Sequence, residues 1–77
     1  MNENNNNRPF DELEKAKNKR VMIELKNSKQ IVGTLKSFDT HINVYLEGAE
    51  ELENGEVKRK LGNTFLRGDT IILILPE

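Results

Sequence analysis

The chain has 77 residues, 35% of them hydrophobic and 32% charged, and its 12 basic and 13 acidic side chains leave a formal net charge of −1. With no Cys and a lone His41, it offers no disulfide, iron–sulfur centre, thiolate zinc site or multi-histidine metal site, no stretch nears the roughly 20 apolar residues of a membrane span, and near-neutrality argues against coating nucleic acid by bulk electrostatics. A chain this short buries only about 60% of its unfolded surface and lacks covalent staples, so self-association is expected.

Residues 1–8 read as a disordered leader, since Asn2 and Asn4–Asn7 offer nothing to bury. They also lack the apolar core of a signal peptide, so a cytoplasmic location is expected. Residues 9–77 are read as one domain. Pro9 suits a first helical turn, and Phe10, Leu13 and Ala16 recur at helical spacing with acids early and lysines late. Three apolar positions hold no core alone, so this helix must lie on something else. After Arg20 the period becomes two: Val21, Ile23 and Leu25 alternate with Met22, Glu24 and Lys26. Asn27-Ser28-Lys29 is a turn candidate. The next strand, Ile31 to Phe38, is interrupted by Gly33 as a bend or bulge would do.

A third strand is expected to place Ile42, Val44 and Leu46 on one face and His41, Asn43 and Tyr45 on the other. Asn54-Gly55 marks a hairpin, because both central residues of a type I′ turn need positive φ. Val57 to Leu66 returns from it, broken at Gly62-Asn63. The last run, Ile71 to Leu75 closed by Pro76, is apolar on both faces and so invites pairing with another molecule. The fold class is mostly β: a short helix and five strongly bent strands forming a small open or closed barrel.

Two polar stretches stand apart from core patterning: Asp39-Thr40-His41-Ile42-Asn43 and Arg67-Gly68-Asp69. A two-residue loop at Asn54-Gly55 pairs Glu53 with Glu56, and extending that register sets Asn43 opposite Leu66 and His41 opposite Gly68. Both stretches then lie at one end of one hairpin. His and Arg present planes on which a nucleobase can stack, and Asn43 offers a donor beside an acceptor that can read a base edge. Asp39 and Asp69 would orient Asn43, the backbone or Arg67, and Gly68 would permit a tight turn. The plainer readings are turn residues, a solvated His41 and a surface Arg67–Asp69 ion pair. A cell-adhesion use of Arg-Gly-Asp needs a secreted loop, and an Asp39–His41 dyad lacks a nucleophile. Glu47, Glu50, Glu51, Glu53 and Glu56, followed by Lys58-Arg59-Lys60, read as a solvated hairpin tip.

The stretch from Gly33 through Phe38-Asp39-Thr40-His41-Ile42-Asn43-Val44-Tyr45-Leu46 resembles the first signature of the Sm and Sm-like proteins, and Leu66-Arg67-Gly68-Asp69 resembles their second. Order and spacing agree with the family from roughly Arg8 to Pro76, and the Asp-x-His-x-Asn form is most similar to archaeal members. The Tyr-Lys-His element of the bacterial branch is absent. The resemblance implies an N-terminal helix capping an open, SH3-like, five-stranded antiparallel barrel (the Sm fold). It further implies rings, usually heptameric in archaea, in which the fourth strand of one subunit pairs with the fifth of the next. Single-stranded U-rich RNA would pass around the pore, each base stacked between His41 and Arg67 and read by Asn43. Asp69 would hold Asn43, Asp39 would shape its loop, and Gly68 completes the motif. The implied role is an RNA scaffold or chaperone in RNA processing, with no catalysis, cofactor or metal, and with other RNA-processing proteins as further partners.

Ser37 stands where Gly is frequent, and Asn27-Ser28 replaces a Gly pair. Phe38 and Arg8, near a conceivable second RNA-contacting face, are read as a packed aromatic and a helix-start residue. The competing readings are a barrel adaptor that binds a protein or peptide along a strand edge and a purely structural ring.

Overall fold

The alternation after Arg20 becomes strand β1 (Arg20–Leu25) in the computed structural model, which describes residues 8–77. Apart from Arg8, the asparagine-rich leader lies outside the described residues. The inward positions of β1, Val21 and Ile23, have no exposed surface. Helix α1 (Pro9–Lys15) precedes it, with Pro9 in the first turn, Asp11 and Glu12 near the N-terminus and Lys15 in the last turn, the charge order that the helix dipole favours. Leu13 and the buried Ala16 dock α1 on the sheet. Phe10 meets Phe38 edge to face at 5.1 Å, so Phe38 packs as the sequence suggested. Arg8 sits at the N-cap without a side-chain cap and reaches Asp11 at 3.3 Å.

Strands β2 (Gln30–Phe38), β3 (Val44–Glu53), β4 (Glu56–Leu66) and β5 (Ile71–Pro76) complete an antiparallel sheet in the order β4-β3-β2-β1-β5. Val21, Ile23, Ile31, Leu35, Val44, Leu46 and Ala49 form the core on its concave side with Ala16. At the hairpin tip Asn54 (φ 55°) and Gly55 (φ 83°) adopt the positive angles that the type I′ turn requires, with Glu53 opposite Glu56. Because β4 and β5 are the two ends of the strand order, the barrel is open and each presents a free edge. On β5, Ile74 pairs with the buried Ile23 and faces the core. Leu73 and Leu75 point outward and are exposed. The two-faced strand is thus an edge strand, as its apolar pattern implied.

Three expectations need correction. The third strand begins at Val44, and His41, Ile42 and Asn43 lie in the loop before it. Ile42 has φ 61°, a left-handed conformation incompatible with an extended strand and strained for a β-branched residue by about 1–3 kcal/mol. The hairpin register also slips: shifts around Gly62 and between Glu51 and Leu52 set Val44, instead of Asn43, opposite Leu66. Finally, Glu51 at the tip is not solvated. It is 3% exposed and accepts a hydrogen bond from Arg59 Nε at 2.9 Å, with Lys29 Nζ at 3.9 Å. The Arg59 bond, ahead of the opposing cost of desolvation, keeps its carboxyl below the ordinary value.

Candidate nucleic-acid interface

Asp39 organises the loop between β2 and β3. One carboxylate oxygen accepts the His41 N–H at 2.8 Å and the Asn43 N–H at 3.1 Å, while the other accepts from Asn43 Nδ2 at 3.1 Å. The backbone closes the same loop through Ile42 N–H to Asp39 O at 3.0 Å and Asp39 N–H to Asn43 O at 3.1 Å. These bonds, led by that from the Asn43 side chain, lower the Asp39 pKa. Ile42 points back, half-buried against the core, and the neighbouring His41 and Asn43 are exposed. The loop thus keeps the inward Ile42 and outward His41 and Asn43 that the alternation predicts, although Ile42 has left the extended conformation.

The second loop, between β4 and β5, comes to the first through Gly68. Its N–H donates to Asn43 Oδ1 at 2.8 Å. A Cβ at Gly68 would run into the His41 carbonyl oxygen and lie 2.8 Å from the Ile42 carbonyl carbon. Glycine is required here by the close approach of two loops, not by the tight turn expected between charged neighbours. A short 3-10 turn (Gly68–Thr70) follows, fixed by Thr70 Oγ1 donating to Arg67 O at 2.6 Å. Arg67 Nη2 donates to Asp69 Oδ2 at 3.1 Å, and the Arg67 side chain is 80% exposed.

All six sequence candidates, Asp39, His41, Asn43, Arg67, Gly68 and Asp69, therefore meet at one end of the sheet. His41, Asn43, Arg67, Gly68 and Asp69 line a shallow cavity of about 450 Å³. One expected contact is not made: Asp69 holds Arg67, and it is Asp39 that holds Asn43. Spacing could not separate the two aspartates, because both fall within reach of Asn43 until the loop turn at Ile42 is known. Tyr45 and Phe65, which the sequence pattern does not single out as site residues, pack their rings at 4.7 Å beside Arg67 and Asn43. The signal for that pair was the hairpin register, which the one-residue slip displaced. Among the described residues, no group of three or more His, Cys, Asp or Glu side chains could hold a metal ion, and no helix is long and apolar enough to cross a membrane.

Two loops locked by a carboxylate and a glycine, presenting an imidazole, a carboxamide and a guanidinium from an open bent sheet, define an Sm-type site on an Sm-type barrel. Residues 11–76 match the LSM domain, and the chain belongs to that family of Sm-like proteins. It is 41% identical over 70 residues to an snRNP Sm-like protein of Methanococcoides burtonii, covering 91% of this chain and 97% of the relative. A counterpart from Archaeoglobus fulgidus is 42% identical over 69 residues, covering 90% of each. Among solved structures, the Sm protein of Pyrococcus abyssii in complex with a uridine heptamer superposes with a TM-score of 0.88 at 35% identity, over 92% of this chain and all of that one. A heptameric archaeal Sm protein gives 0.81 at 39% identity, over 87% and 97% of the two chains.

Proposed function

We propose that this chain, a single Sm-like domain over residues 9–77 behind its leader, assembles into a heptameric ring through β4 and β5 and binds single-stranded U-rich RNA at the pore. The convergence of His41, Asn43 and Arg67 on one cavity carries this reading, and the likeness to an Sm protein holding a uridine heptamer supports it. His41 and Arg67 each offer a plane to a base, and stacking is worth about 1–3 kcal/mol per base. Asn43 reads the uracil edge, Asp39 positions it, and Asp69 steers Arg67. The protein acts in the cytoplasm as an RNA scaffold or chaperone and catalyses no reaction.

Ring formation supplies what a monomer lacks. Weak single-base sites repeated on one strand act together through effective concentration, and the exposed edges of β4 and β5 are covered by neighbours. The test is calorimetry with a uridine heptamer. His41→Ala, Asn43→Ala and Arg67→Ala should each weaken binding at least tenfold, on the order of one stacking or edge contact, while gel filtration shows an unchanged assembly. Parent-like binding by all three variants would remove these residues from the site.

A further inference from the structure

Resting on the uridine reading above, we propose that Tyr45 and Phe65 form a second nucleobase subsite, which stacks the base next to a pore-bound uridine without reading its identity. Three neighbouring strands build it. Ser37 on β2 stands opposite Tyr45 on β3, and Tyr45 stands opposite Phe65 on β4. Tyr45 lies between the inward Val44 and Leu46, and Phe65 lies beside the inward Leu66, so the row points away from the core. It closes one side of a cavity of about 450 Å³ that Asn43 and Arg67 also line. The same two residues line the cavity that contains His41. The cavities are thus neighbours across Asn43 and Arg67, and a strand with one base against His41 brings its next base to the aromatic pair.

Folding alone does not account for this pair. Cross-strand aromatics steady a hairpin, and the two rings meet at 4.7 Å with a 35° tilt. That contact uses one side of each ring, yet Phe65 remains 79% exposed, a large apolar surface at the rim of a polar site.

Arg67 is placed to serve both cavities. Its extended backbone continues β4, so its side chain emerges on the same face as Phe65, two residues earlier. The guanidinium bonds Asp69 at 3.1 Å through an edge N–H. Its planar faces stay open on a side chain that is 80% exposed. One face serves the base beside His41, and the other serves the base beside Phe65. The acid on this wall, Asp39, has both oxygens engaged by N–H donors. Phe65 offers only a π-face to stack on, and every base has one, so the subsite holds a flanking nucleotide of any sequence.

The experiment compares, on the full chain, a uridine heptamer carrying one adenosine at each end with the same heptamer carrying an abasic nucleotide at each end. Both strands add the same phosphates, so their difference reports stacking. The parent should bind the adenosine-flanked strand at least about fivefold more tightly, the low end of base–aromatic stacking. Tyr45→Leu and Phe65→Leu keep apolar bulk for packing but remove an aromatic face. Each should cut that ratio to below about twofold, while the plain uridine heptamer still binds and gel filtration shows the parent's assembly. A ratio near one in the parent overturns the inference, as does a parent-like ratio in either variant; in both cases binding of the plain heptamer leaves the uridine reading standing. A parent that binds none of the strands overturns that reading together with the subsite. Should the variants not assemble, 2-aminopurine in place of the flanking adenine decides in the parent: fluorescence further quenched on binding supports the subsite, and unquenched fluorescence overturns it.

Discussion

At the scale of single residues, Asp39 and Gly68 hold the two loops of the candidate site together. Asp39 gathers two backbone N–H groups and one side-chain amide. Because the folded protein holds its carboxyl below the ordinary value of 3.8, the loop is intact above that pH and loosens only as pH falls through the lowered pKa. Uridine-heptamer affinity followed from pH 7 downward should accordingly hold steady with respect to Asp39 and drop only as pH falls below its ordinary value of 3.8; an affinity unchanged through that acid range would contradict the role given to Asp39. Gly68→Ala is expected to lower stability by roughly 1–3 kcal/mol and to abolish uridine binding, because a Cβ there forces the two loops apart; chemical denaturation with a binding titration checks both. The identities of His41, Asn43, Arg67 and Asp69 as neighbours were legible from the chain, since a hairpin must bring its far ends together. Which aspartate serves which partner was not, because it depends on the positive φ of Ile42, and nothing in the pattern of an isoleucine forecasts a left-handed backbone.

Among the elements, the β3–β4 hairpin and β5 divide the work. The hairpin is clipped at its tip by Glu51, which joins Arg59 of the adjacent strand to Lys29 of the β1–β2 turn. The contribution of this clip is present above the ordinary Glu value of 4.5 and fades as pH falls through the lowered pKa. Glu51→Ala should lower the Tm at pH 7, with much less difference from the parent once the pH is acid enough to protonate Glu51; thermal melts at the two pH values test the difference. The sequence suggests a solvated tip because five glutamates crowd it, and only the burial of Glu51 beside Arg59 and Lys29 distinguishes one from the rest.

The two edge strands carry the largest exposed apolar side chains on the sheet's outward face. Phe65 on β4 is 79% exposed, and Leu73 and Leu75 on β5 are 38% and 48% exposed. Pairing β4 of one copy with β5 of the next brings these onto one continuous face. Phe65→Asp or Leu73→Asp should therefore yield monomers or small oligomers by gel filtration with the monomer fold intact by circular dichroism. The edge role of β5 was readable from its two apolar faces. The starting point of β3 was not, since the alternation of Ile42, Val44 and Leu46 continues unbroken across a turn that backbone hydrogen bonds to Asp39 create.

For the whole molecule, a near-neutral chain with a thin core makes a weak case for nucleic-acid binding only while it is counted one subunit at a time. Around the proposed ring, each subunit would contribute one His41, one Asn43 and one Arg67 to a common strand, so that local chemistry and repetition would outweigh net charge. Stacking and edge contacts should also keep the salt dependence shallower than the slope of about −0.7 per phosphate that full neutralisation of a single strand gives. The most direct measurement is native mass spectrometry of the full chain with and without a uridine heptamer. The expected result is a seven-subunit ring that takes up one heptamer per ring; a stable monomer, or a ring that takes up none, would contradict the account.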